Sequence, residues 1–478
     1  MKFNKTSKVV NRTVNFAGGK AFKESLELEL VSLLLTSFIE DKFYESGSEQ
    51  LVRLKMLINK LQDKKFVAKA GIYARTEIGM RSISHALVAE LAYSVKGSEW
   101  LKTAIARTVY RPDDMTEILS YYLHNYNKPI PNSLKKGLAR AFDKFDAYSL
   151  GKYRGEGNAI SLVDVVNLAH PIPIERNKEA LQKLVDGTLK SEDTWEVKLT
   201  QAGQNAKDDV EKAKLKAEAW NELIQSKKLG LFACLRNLRN IIDQAPDSLK
   251  GALEILTDER LIKKSLILPF RYATALNQIE KLQGPNVRKV VDAIHKAFNL
   301  ALSNVPIFDG RTLVVLDESG SMDGKPGDIG SVFAAVLYKS NDADLMTFSD
   351  GARYQNFHSG DSALTIAKRL KEGFSCGGTN FHAIFNVASQ KYDRIVILSD
   401  MQGWEGGYAP TQTFNEYKKR TGANPKIFSF DLNGYGSLQF PERNVYCLAG
   451  WSDKMLDLMQ VLEQDRQVLI NKINSIEI

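Results

Sequence analysis

Cysteine is almost missing from this chain: three in 478 residues. Cys234, Cys376 and Cys447 are scattered and odd in number, so neither a disulfide framework nor a zinc pattern can be drawn from them. That excludes a small cross-linked scaffold and favours a reducing compartment, the cytoplasm. No uninterrupted apolar run approaches the ~20 residues of a membrane span, so no membrane partner is expected. Met1-Lys2-Phe3-Asn4-Lys5 leads into polar sequence without the apolar core of a secretion signal. Alternating β-branched residues are nearly absent before residue 300, which excludes a β-sandwich or barrel there. No repeat of fixed length is visible, so any repeats are degenerate.

What is present is ample for large cores. Hydrophobic residues make up 44% of the chain, and 478 residues correspond to two or three domains. The formal charge of +8 is uneven: residues 1–310 carry +11 and residues 311–478 carry −3. That split puts an anionic partner on the first part. Lysine-rich solvated helix faces are the plain alternative.

From Leu26 to about residue 300, apolar residues recur at helical spacing in segments of ten to fifteen. Examples are Leu51–Leu61, Val67–Tyr73, Ala86–Tyr93, Met115–Leu123 and Leu134–Phe145. Gly97, Pro112, Pro129-Ile130-Pro131 and Pro171-Ile172-Pro173 punctuate them. The pattern predicts a solenoid of stacked helical hairpins. Residues 1–24 read as an extended basic arm, and Asn304-Val305-Pro306 as the hinge closing a first domain at 1–305. The domain at 306–478 alternates strand and helix, as in a doubly wound α/β fold.

Its first strand is Thr312-Leu313-Val314-Val315-Leu316, an apolar run without alternation, as expected of a parallel strand buried on both faces. Asp317, Ser319 and Ser321 follow at its carboxyl end, where open α/β sheets place their ligands. A glycine-eased loop presents Thr379, and a second buried strand, Ile395–Ser399, ends at Asp400. One carboxylate plus hydroxyls suits a hard divalent cation, Mg²⁺, better than zinc or copper. The competing reading is that these groups only cap helices. His358 and His382 read as ordinary surface or structural histidines. No base stands beside the oxygen set as metal-assisted hydrolysis would require, so no enzymatic activity is expected.

Asp317, Ser319, Ser321, Thr379 and Asp400 together resemble the metal-ion-dependent adhesion site of von Willebrand factor A domains, over roughly residues 310–478. That family often has Asp after the loop Thr, where this chain has Asn380. The resemblance implies an open coordination position that takes an oxygen from a partner.

A second resemblance spans nearly the whole chain. Arg75–His85, Lys152-Tyr153-Arg154 with Asp164–Pro171, Leu235–Arg239 and Leu268-Pro269-Phe270 are similar to segments of the Ro autoantigen family, whose helical part is called the TROVE domain. It implies a ring of HEAT-like helical repeats closed by the α/β domain. It also implies binding of Y RNA-like small non-coding RNAs and of single-stranded 3′ ends of misfolded RNAs, an exoribonuclease partner tethered through RNA, and a monomeric ring. By match to the family segment, Lys152, Arg154 and His170 are RNA candidates. Lys135, Lys136 and Arg140 lie on the preceding helix, and Arg111 starts a neighbouring one. His170 reads equally well as a helix C-cap before Pro171. Arg236 and Arg239 read either as lining the ring or as pairing with acids across the repeat stack, the structural role being favoured. The leading expectation is an RNA-binding core for RNA quality control. The alternative is a protein-binding or chaperone-like adaptor that grips an acidic side chain through its metal.

Overall fold

The computed structural model describes residues 12–14, 20–23, 25–37, 46–95, 97–126, 129–155, 157–189, 195–265, 267–403, 410–433, 435, 437–438, 445–449, 456, 459 and 468–478. Local signals start many of the helices. Ser46 and Glu49 form a capping box before Gly47–Lys60, Ser161 and Asp164 form another before Leu162–Ala169, and Pro269 opens Pro269–Ile279. Lysines close two helix ends: Lys64 Nζ donates to the Leu61 carbonyl at 2.6 Å, and Lys144 Nζ, 35 residues on, to that of Val109 at 2.7 Å.

The first helical stretch comprises α1 (Leu26–Thr36), α2 (Gly47–Lys60), α3 (Lys64–Tyr73), α4 (Ser82–Ser94), α5 (Glu99–Thr108), α6 (Pro112–Tyr126), α7 (Asn132–Ala141), α8 (Ala147–Lys152), α9 (Leu162–Ala169) and α10 (Lys178–Val185). The second comprises α11 (Trp195–Gln204), α12 (Asp209–Gln225), α13 (Leu231–Gln244), α14 (Leu249–Leu256), α15 (Glu259–Ser265), α16 (Pro269–Ile279) and α17 (Val287–Ala301). Neighbours stack in series: α5 on α7, α4 on α6, α7 on α9, α9 on α10, then α11 on α12, α13 on α14 and α16 on α17. This is the expected solenoid of helical pairs. A single turn of π-helix, Ala74–Ile78, follows α3 and ends at Gly79, whose φ of 87° is left-handed.

The α/β part holds β3 (Thr312–Asp317), β4 (Asp344–Phe348), β5 (Ala352–Gln355), β6 (Arg394–Ser399), β7 (Lys426–Asp431) and β9 (Val445–Ala449), in the order β5-β4-β3-β6-β7-β9. All pairings are parallel except that of β5, the antiparallel edge. Helices α18 (Lys325–Ser340) and α19 (Ala363–Glu372) cover one face. Helices α20 (Phe381–Val387) and α21 (Thr411–Thr421) cover the other, where Phe381, Phe385, Phe414 and Tyr417 meet Leu313, Val315, Ile395 and Ile397. The chain turns from one side of β3 to the other between β3 and β6, so the switch point of the sheet lies at their carboxyl ends.

The amino-terminal segment departs from the expected extended arm. Strands β1 (Arg12–Val14) and β2 (Lys20–Lys23) pair antiparallel, and β2 pairs with β8 (Ser437–Leu438) of the α/β part. Unsatisfied backbone groups at a strand edge explain the pairing, which local patterning does not signal. Segment 1–11 lies outside the described residues, as do residues 38–44 of the apolar run that the sequence predicts as one buried helix over Leu26–Tyr44, and Asp453, where the sequence predicts the last helix to start.

Both ends of the helical array dock on the α/β part. Helix α1 packs against β9, while α16 and α17 pack on α18 and α19. The last helix, α22 (Val468–Asn474), returns to α3. Lys69 Nζ donates to the Asn474 carbonyl there, at 2.6 Å. The apolar core is continuous from Leu30 in α1 to Phe428 and Phe430 in β7.

Candidate metal centre and nucleic-acid interface

The five oxygen-bearing residues sit at the switch point. Asp317, Ser319, Ser321, Thr379 and Asp400 are all buried. Asp317 ends β3. Its Oδ1 accepts from the Ser319 N–H at 2.9 Å and its Oδ2 from the Ser399 hydroxyl at 2.5 Å. The Ser319 and Ser321 hydroxyls are 3.4 Å apart, and Ser321 faces the Asp400 carboxylate. The Thr379 loop is held against the Asp317 loop by two backbone bonds. Gly320 donates to the Gly377 carbonyl at 3.0 Å and Cys376 to that of Glu318 at 2.9 Å. A Cβ at Gly377 would lie 2.4 Å from Asp350 Oδ2, so a side chain there would displace the carboxylate that accepts from the Gly378 N–H at 2.6 Å.

Charge in this pocket is unbalanced. Burial raises the affinity of Asp317 for its proton, against the hydrogen bonds from Ser399 and Ser319. Burial raises Asp400 too, and the charges of Asp317 and Asp431 raise it further. Asp400 Oδ2 is buried with no hydrogen-bond partner. A buried carboxylate oxygen without a donor is costly unless a cation meets it. The residues therefore fit a hard cation held by hydroxyls and carboxylates. Among the described residues there is no cluster of three or more His, Cys, Asp or Glu arranged for a metal. Asn380 caps α20, accepting from His382 N–H at 3.1 Å. His382 is buried beside Thr413 Oγ1, and His358 is exposed and accepts from the Gly360 N–H.

Two neighbours escaped sequence reasoning. Register places Asp317, Ser399 and Asp431 side by side across β3, β6 and β7, on one face of the sheet. The signal for Asp431 was available: Ile427-Phe428-Ser429-Phe430 is a further apolar run ending in a carboxylate. Nothing local marked Glu318, which is buried and paired with Arg353 Nη2 at 2.9 Å.

The basic candidates divide into two groups. Arg111 and Lys152 flank Tyr153: the Arg111 guanidinium lies 4.5 Å and Lys152 Nζ 5.7 Å from the ring centroid. Arg111 also chelates Asp113, with Nε at 2.9 Å from Oδ1. Arg154 Nη1 donates to the Leu189 carbonyl at 2.7 Å, so its guanidinium ties the α8–α9 turn to the end of the α10 segment. Lys135, Lys136 and Arg140 lie along α7. Lys136 and Arg140 are exposed one turn apart, and Arg140 Nη1 donates to Thr103 Oγ1 at 3.0 Å. Lys136 borders a depression of about 820 Å³ with Lys102, Tyr93 and Tyr122. His170 caps α9 in the left-handed region (φ 50°), donating its N–H to the Val166 carbonyl at 2.9 Å, with its side chain exposed. The packing of α9 on α6 and α7 puts these elements side by side. On α13, Arg236 and Arg239 are exposed, and Arg236 lies over the Phe232 ring.

Beneath the Arg111 turn is a buried carboxylate. Asp114 receives Arg75 Nε at 3.0 Å and Nη2 at 2.8 Å, His85 Nε2 at 3.0 Å, and the N–H groups of Tyr110 and Arg111 at 2.8 and 2.9 Å. Burial works to raise its pKa. The His85 bond and the Arg75 charge outweigh burial and hold the carboxyl far below the ordinary range. The Arg75–His85 segment is thus a structural hub.

A family model described as the TROVE domain matches residues 39–216 and 187–293. The RNA-binding protein RO60 of Deinococcus radiodurans is 25% identical over 479 residues, covering 87% of this chain and 88% of that protein. Telomerase protein component 1 of Mus musculus is 22% identical over 307 residues, covering 46% of this chain and 11% of that one. The crystal structure of the Deinococcus radiodurans RO (RSR) protein superposes with a TM-score of 0.61 at 19% identity, covering 91% of this chain and 99% of that one. That likeness shows the fold: a helical array followed by a doubly wound α/β part.

Proposed function

This chain belongs to the TROVE-domain family, and from that premise we propose that it is an RNA-binding protein without catalytic activity. Its RNAs are small structured RNAs of the Y type and the single-stranded ends of misfolded RNAs, in RNA quality control. The observation that carries the reading is the gathering of Arg111 and Lys152 over the Tyr153 ring, on the strongly basic part of the chain. Cations held on an aromatic surface suit a polyanion with exposed bases. Lys135, Lys136 and Arg140 on α7 and the exposed His170 side chain are further candidate RNA contacts. We place the protein in the cytoplasm as a monomer, with any exoribonuclease joined to it through RNA.

The α/β part is a von Willebrand factor A-like domain whose Asp317, Ser319, Ser321, Thr379 and Asp400 hold Mg²⁺. A bound divalent cation supplies one coordination position for an oxygen of a partner. Asp317 and Ser399 orient the loop, and the serine hydroxyls and Thr379 line the pocket. The orphaned Asp400 Oδ2 favours a second reading, an adaptor that grips an acidic side chain through this metal.

The test is binding of short RNAs by mobility shift across a salt series. Lys152→Glu with Lys136→Glu is expected to weaken binding by about tenfold or more and to flatten the salt slope. Arg154 is left in place, since its bond to Leu189 makes a substitution there a test of folding. Unchanged affinity in the double variant would sink the RNA reading. Sequencing of RNA recovered with the native protein separates it from the adaptor reading, which expects none.

A further inference from the structure

Exposed aromatic rings are few on the described surface. Tyr110 is 61% exposed, Tyr148 44% and Phe232 43%. Two of the three flank the same cations. Tyr110 directly precedes Arg111, whose guanidinium lies on Tyr153. Tyr148 stands four residues before Lys152 on α8, and therefore on the same helix face. Rings and cations thus adjoin in sequence or by contact: Tyr110 precedes Arg111 in the chain, Arg111 and Lys152 both lie on Tyr153, and Tyr148 is one turn before Lys152.

Tyr110 is also held in an unusual way. The Asp114 carboxylate accepts the consecutive N–H groups of Tyr110 and Arg111. Behind the ring, the buried Arg75 guanidinium lies 5.2 Å from its centroid and is itself bonded to Asp114. One face of the ring thus rests on a fixed cation while most of the side chain stays in solvent. A large apolar ring kept in water is unfavourable, and fixing its backbone by buried charges lowers the entropy lost when a flat partner stacks on it.

We infer that Tyr110 is a stacking platform for an unpaired base, and that Tyr148 offers a second beside Lys152. The ligand class is a single-stranded stretch of RNA, with phosphates at Arg111 and Lys152 and bases on the rings. The inference rests on the RNA-binding reading above and adds a preference for unpaired over duplex RNA at this surface. Duplex RNA keeps its bases stacked on one another, so it gains nothing from the rings.

The experiment measures fluorescence anisotropy of the whole protein with two labelled probes, a short unstructured RNA and a fully paired hairpin. Tyr110→Leu is expected to weaken the unstructured RNA about tenfold, to leave the hairpin unchanged and to keep the salt slope. Tyr110→Phe is expected to bind like the wild type, since the ring is retained. A 2-aminopurine base in the unstructured probe should lose fluorescence on the wild type and keep it on Tyr110→Leu. The inference is overturned if Tyr110→Leu binds the unstructured RNA as tightly as the wild type while Lys152→Glu weakens it; the RNA reading then stands. It is equally overturned if Tyr110→Leu weakens both probes alike. If Lys152→Glu also binds both probes as the wild type does, the RNA reading fails and the inference with it.

Discussion

Asp400 follows a buried strand and keeps one carboxylate oxygen, Oδ2, without a donor. Asp317 approaches closely enough for its charge to oppose ionisation of Asp400. Two buried like charges destabilise the fold unless a proton or a cation lies between them. Adding Mg²⁺ to chelator-treated protein should therefore raise its melting temperature. At about a hundredfold excess over Kd the gain is about 2.7 kcal/mol, roughly 5 °C or more for a unit of this size. In Asp400→Asn the rise should vanish, because one negative charge and one oxygen ligand are lost together. Scanning calorimetry with and without Mg²⁺ decides it, and an equal rise in both proteins would remove Asp400 from the site.

The π-helical turn after α3 points Arg75 inward, α4 supplies His85, and the turn between α5 and α6 supplies two N–H groups; all four converge on Asp114. Three elements are thereby joined by one carboxylate with 0% exposure. Removing one partner of such a cluster leaves buried charge unmatched and costs about 3–5 kcal/mol. Asp114→Ala should lower the denaturant midpoint accordingly. The pH dependence has a definite sign. Asp114 has its folded pKa depressed, so its contribution is complete above the unfolded value of ~3.9 and is lost as pH falls towards the lower folded value. Wild-type stability should fall below about pH 4 more steeply than that of Asp114→Ala, as urea titrations at several pH values would reveal.

Closure of the molecule depends on a seam. Phe270 of α16 stacks on Phe333 of α18 at 4.0 Å. Beside them a cavity of about 280 Å³ is lined by Leu35 of α1, Ile78 and Met80, and Val332. The start of the helical array, its end and the α/β part therefore meet at one place. Phe333→Ala should cost about 3–5 kcal/mol, and a seam made of few rings should open. Small-angle scattering should then report a larger radius of gyration, whereas an unchanged radius would show that the other contacts hold the circuit closed. Among the described residues no helix is long and apolar enough to cross a membrane.

The amino-acid sequence alone determined the element types and the oxygen-rich loop. Helical periodicity in α2 or α6, and unbroken apolar runs in β3 and β6, are written in neighbours a few residues apart, where side-chain direction follows backbone geometry. Asp317, Ser319 and Ser321 were legible because alternate positions leaving a strand end share one loop. The partners of these residues were not legible. Ser399 reaches Asp317 across 82 residues, and Arg75 reaches Asp114 across 39. Strand register and helix stacking decide such meetings, and no short-range pattern encodes them. The same holds for Arg154, a free cation on paper that packing ties to Leu189, and for the β2 strand that joins β8. Composition and spacing thus specified which groups the chain possesses. Only the folded arrangement decided which charges face each other, because burial and distance, on which their energies depend, are properties of the assembled chain.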